Sequence, residues 1–98
     1  MIDRISRNED KLDSILLVIR SLEEDLEIYK SNIKNISSLN KYYGSKNWFK
    51  DKDAYEKSII PKVKAGVLSE DAIWNMNEDL DSLMKEMKKI TDSYFKNK

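Results

Sequence analysis

Four aromatic side chains, Tyr42, Tyr43, Trp48 and Phe49, lie among four lysines, Lys41, Lys46, Lys50 and Lys52. Rings interleaved with cations can stack nucleobases and hold phosphates. The same pattern also serves a structural end, in which the rings pack a connector onto neighbouring helices and the lysines line its rim. Net charge separates the two readings. Lys plus Arg and Asp plus Glu each number 18, so no general positive field draws in a polyanion. The structural reading is preferred. A nucleic-acid accessory role carried by Tyr42–Lys52 stands as an alternative.

Other chemistry is thinly supplied. The chain has no histidine and no cysteine, so the usual neutral-pH base and the strongest nucleophile are both missing. Zinc lacks its nitrogen and sulfur ligands. Asp51-Lys52-Asp53 begins like a calcium loop, but its sixth position is Glu56, where such a loop needs glycine. With two glycines in all, no glycine-rich loop cradles a phosphate. The expectation is a non-enzyme with no cofactor and no metal. Met76, Met84 and Met87 can form an adaptable docking surface, but Met76 and Met87 fall on a helical seam and read first as core.

The elements that position these residues are helices. From Leu12 to Ile36 the apolar residues are Leu12, Ile15, Ile19, Leu22, Leu26, Tyr29, Ile33 and Ile36. Their spacing alternates between three and four, the heptad seam of a helix that packs along its length. This spacing predicts a first helix over about residues 2–43, with a possible kink site at Ser37-Ser38. Gly44 follows it as a left-handed terminator and Lys41 lies in its last turn.

A connector over 44–68 is less regular. Ser45 or Asp53 can cap a short helix, and Asp53 with Glu56 has capping-box spacing. Trp48, Tyr55 and Ile59 can share one face. Pro61 suits the start of a new turn that Gly66 would end. One or two short helices are expected here.

The last helix, about 70–95, has a clear start. Ser69 is the expected N-cap, Glu70 and Asp71 suit the helix dipole, and Leu68 can staple onto Ile73. Its seam is Ile73, Met76, Leu80, Leu83, Met87, Ile90 and Tyr94.

Ninety-eight residues, 37% of them charged, make one small helical domain with a marginal core. The expected fold is all-α: a long antiparallel helical hairpin with a short helical connector packed across it. Matching the seams sets Ile36 beside Ile73, Leu26 beside Leu83 and Ile15 beside Tyr94. That register also places Asp25 and Glu86 on the same flank, where like charges repel. Residues 42–68 hold six lysines against Asp51, Asp53 and Glu56, so the connector can answer that flank.

Between Ile15 and Ile19 the first helix is apolar all round. One helical partner covers only the Ile15–Ile19 stripe, which leaves Leu16 and Val18 beside it and Leu17 opposite. Phe95 is off its own seam, and Ile5 extends the apolar surface. These residues, with Tyr42, Tyr43, Trp48 and Phe49, are the candidate interaction residues. The expected partner is another protein or a second copy, as a homodimer. The first residues, MIDRISRNEDK, lack the apolar stretch of a signal peptide. No apolar run approaches a membrane span. A cytoplasmic protein is therefore expected, and the absence of cysteine fits a reducing compartment.

Two stretches carry a family resemblance: YYGSKNWF (Tyr42–Phe49) and GVLSEDAIW (Gly66–Trp74). Over about residues 5–90 the chain resembles a family of small bacterial proteins known only as a domain of unknown function. Members share a long amphipathic first helix, a Tyr-Tyr-Gly-Ser turn with a following Trp, a Leu-Pro step and a Gly-Val-Leu-Ser-Glu-Asp entry to the last helix. Here the step is Ile60-Pro61. The resemblance implies an all-helical fold and supplies no activity. The leading functional expectation is a protein–protein interaction module. By analogy with other compact helical bundles, a small inhibitor or immunity protein against a toxin or defence enzyme is a further alternative, which a toxin or nuclease gene alongside would favour.

Overall fold

The heptad spacing of the first forty residues forms one helix. The computed structural model describes residues 1–61 and 63–98. In it α1 runs from Ile2 to Tyr42, roughly 60 Å of helix at 1.5 Å per residue. The Tyr43 amide still donates to the Leu39 carbonyl at 2.9 Å, and the chain then turns as the Ser45 amide donates to the Tyr42 carbonyl at 3.0 Å. Gly44 sits inside this turn with φ +76°. That is the left-handed region expected of it, open to glycine at no steric cost.

Helix α2 spans Lys46–Glu56. Its cap is Ser45, whose backbone is extended and whose hydroxyl accepts from the Trp48 amide at 3.2 Å. Asp53 is not a cap. It lies inside α2 and its carboxylate pairs with Lys57 at 3.1 Å, so no capping box forms with Glu56. The helix stops in a Schellman arrangement: the Ile59 amide donates to the Ala54 carbonyl at 2.9 Å and the Ser58 amide to the Tyr55 carbonyl at 3.1 Å. Ser58 takes the left-handed position, φ 58°. The chain therefore leaves the helix axis before Ile59, which is exposed and does not share the Trp48–Tyr55 face.

Pro61 itself is not helical, and the turn expected to start there runs through residue 62, which lies outside the described residues. Gly66 opens a 3-10 turn, Gly66–Leu68, instead of ending one. Ser69 follows with extended backbone, and its hydroxyl accepts from the Ala72 amide at 2.9 Å. It thus caps the turn through Glu70 and Asp71 and not the helix itself: the N-cap of α3, Ala72–Lys96, is Asp71, which makes no side-chain capping bond, so the helix starts later than the expected position near 70.

The class is all-α, with three α-helices and no strand among the described residues. The chain divides into two units, Met1–Ser37 and Ser38–Lys98. The first is helix alone, and α1 contains no buried residue. The second holds the end of α1, α2, the 3-10 turn and α3. Its buried residues are Trp48, Leu68 and Ile73, so both members of the expected staple are inside. Leu39, Tyr43, Tyr55, Met76 and Leu80 are half-buried around them. Further along α3 the seam residues Leu83, Met87, Ile90 and Tyr94 are exposed. The expected pairs Leu26–Leu83 and Ile15–Tyr94 each take one residue from either unit, and all four side chains are exposed. Among the described residues no helix is long and apolar enough to cross a membrane.

Candidate interaction site

Within the second unit the aromatic cluster closes around Trp48. Ser45 starts α2 so that Trp48 falls in its first turn, where the ring is 4% exposed. The indole N–H donates to the Val67 carbonyl at 2.8 Å, which ties α2 to the 3-10 turn. Tyr43 and Phe49 meet the indole edge-on, with centroids 5.2 and 4.9 Å away. The Tyr43 hydroxyl donates to the Glu70 carbonyl at 2.6 Å, holding the end of α1 to the entry of α3. Asn40 and Asn77 exchange side-chain hydrogen bonds at 2.7 and 3.3 Å, joining the same two elements.

Charges finish this clasp. Lys52 lies 5.2 Å from the Trp48 ring centroid and pairs with Glu70 at 2.8 Å and Glu56 at 3.9 Å. The Glu70 hydrogen bond raises the Lys52 pKa, and the same bond lowers that of Glu70. The Tyr42 hydroxyl donates to Asp51 at 2.7 Å. That bond raises the phenol pKa above 10.0, with desolvation and the carboxylate charge acting in the same direction. Asp51 and Asp53, the calcium-like pair, are both helical residues occupied by Tyr42 and Lys57. Trp48 has no free face for a base, two of the tyrosine hydroxyls are spent on the protein, and Lys52 is held by carboxylates. Of the four rings only Phe49 is exposed. Tyr42, Tyr43 and Trp48 are thus engaged in contacts within the chain, and Phe49 is the ring of the four left open to a partner.

The first unit presents the other candidates. Ile5, Leu16, Leu17 and Val18 are exposed on α1, and so are the seam residues Leu12, Ile15, Ile19, Leu22, Leu26, Tyr29 and Ile33. Leu17 faces away from the Ile15–Ile19 stripe and is 62% exposed, with Asp13, Leu16 and Arg20 around a shallow depression beside it. Phe95 belongs to the second unit, exposed, with Tyr94 edge-on at 5.1 Å. The proposed residues thus fall into three places: the Trp48 clasp, the α1 surface and the end of α3. Periodicity pointed to the seam as core; its exposure, the larger part of the apolar surface of α1, has no sequence signal of its own.

These features define an all-α protein with one small hydrogen-bonded clasp and a long exposed apolar helix face. The chain belongs to the family described as Domain of unknown function (DUF4298), which it matches over residues 5–90, including both motif stretches. No curated protein and no solved structure matches it.

Proposed function

We propose that the chain is a non-enzymatic protein-interaction module that works through the heptad face of α1. The observation that carries this reading is that α1, with eight apolar seam residues over 12–36 flanked by Leu16 and Val18, contains no buried residue. Helices in water draw most of their stability from packing an apolar face, and a continuous apolar patch of this length marks a contact surface. The polar side chains of the other candidate site support the same reading from the opposite side. The Asp51 and Glu70 carboxylates are engaged in structural bonds.

A photoreactive residue placed at Leu22, on the seam, and at Glu24, on the outer side, tests this in cells. The Leu22 position should cross-link to a protein, and the Glu24 position should not. Equal cross-linking from both positions, or none from Leu22, contradicts the reading.

A further inference from the structure

We infer that the face of α1 binds a second copy of the chain, in parallel and in register along residues 5–36. This rests on the interaction reading above and names its partner. The seam positions are Ile5, Leu12, Ile19, Leu26 and Ile33 in one row, and Asn8, Ile15, Leu22, Tyr29 and Ile36 in the other. The flanks are Arg4, Lys11, Val18, Asp25 and Asn32 on one side, and Glu9, Leu16, Glu23, Lys30 and Ser37 on the other.

In a parallel in-register pair, each residue of the first flank meets the residue five further along in the partner copy. Arg4 then meets the partner's Glu9, and Asp25 meets the partner's Lys30. Both contacts occur twice by symmetry, and no like-charge pair arises. Leu16 lies beside the aliphatic stem of the partner's Lys11, which covers one side of the apolar ring. Val18 is covered beside the partner's Glu23. Asn8, the one amide in the seam, faces its own copy, as a polar residue that sets register does. Among the described residues Lys30 pairs with Glu27 of its own helix, at 3.2 Å and exposed, so its ammonium can add the second contact.

Other occupants fit less well. An antiparallel second copy centred on Ile19 and Leu22 offers only Glu9 against Lys30. Sliding it one heptad one way sets Glu23 against Glu23 and Asp25 against Asp25. Sliding it the other way sets Glu9 against Glu23, which offsets the Lys11–Asp25 contact that the same slide gains. An antiparallel α3 sets Glu86 against Asp25. Leu17 stays on the outer side of the pair, a single exposed leucine of the ordinary kind.

The chain has no cysteine, so single cysteines report the pairing directly. Leu12→Cys and Ile33→Cys are oxidised separately and read on non-reducing gels. Both should give a disulfide-linked dimer, because in this pairing each position faces itself. No single antiparallel register brings both Leu12 and Ile33 beside their own copies, so cross-linking by one alone, or by neither, overturns the inference. A charge exchange provides the second measurement. Asp25→Lys and Lys30→Asp should each raise the dimer dissociation constant about tenfold, and the double variant should restore it. A double variant as weak as the singles overturns the pairing. If the purified chain sediments as a monomer while the Leu22 photoprobe captures a different protein, the second copy is excluded and the interaction reading stands. If that probe captures nothing, both fall.

Discussion

Trp48 joins three stretches of chain with one side chain: it stands on α2, donates its indole N–H to the Val67 carbonyl and is packed edge-on by Tyr43. Trp48→Ala should destabilise the second unit by about 3–5 kcal/mol, a large share of what so small a core supplies. Chemical denaturation followed by circular dichroism checks this, and a loss under 1 kcal/mol would show that the clasp is not the core. Tyr42 gives a pH-dependent contribution. Its phenol has a higher pKa folded than unfolded because Asp51 accepts its hydrogen bond. The stability this adds is fully present below the ordinary value of 10.0 and is lost as pH rises through the folded value. The stability difference between the wild type and Tyr42→Phe should therefore hold through neutral pH and shrink above pH 10. A difference that stays flat through that range would show that Tyr42 and Asp51 are not coupled. The Lys52–Glu70 pair has the opposite limits at its two ends. Its Glu70 part is lost as pH falls through the lowered carboxyl pKa, and its Lys52 part as pH rises through the raised ammonium pKa. Glu70 is open to solvent, so the pair orients α2 and the α3 entry more than it stabilises them.

Helix ends were the most legible feature of the elements. Gly44 terminates α1 and Ser69 caps the entry to α3 because both effects are local, set by one residue and its immediate backbone. Ser69→Ala should cost about 1 kcal/mol, read from the denaturation midpoint; an unchanged midpoint would show that the Ala72 amide finds another acceptor. The stop of α2 was not legible. Ser58 adopts φ 58° with no glycine to announce it, and this left-handed residue detaches Ile59 from the face its spacing suggests. Ser58→Gly removes a left-handed penalty of roughly 1–2 kcal/mol, less the extra chain entropy of glycine in the unfolded state. A net gain of roughly 1 kcal/mol is expected, and a destabilised variant would mean that the Ser58 side chain contributes more than its backbone costs. Gly66 was misread for a related reason. Whether a glycine opens or closes a turn depends on where the carbonyls around it point, here to Leu68 and Ser69. The bond from Trp48 to Val67 spans 19 positions, and no local pattern encodes that.

At the scale of the whole molecule, heptad periodicity identified the long helices correctly and said less about what covers them. Regular apolar spacing states that a face is meant for burial; it does not state whether the cover comes from the same chain. Leu26, at the centre of the seam, is 55% exposed, and the flanking charges of α1 match those of a parallel second copy better than those of α3. The central claim is that the face of α1 is a docking surface for that copy. Hydrogen exchange at a series of protein concentrations tests it most directly. Backbone amides between Leu12 and Ile33 should exchange more slowly as concentration rises, while those around Trp48 and Ile73 keep one rate throughout. Protection of residues 12–33 that is strong and independent of concentration, or absent at every concentration, would contradict the account.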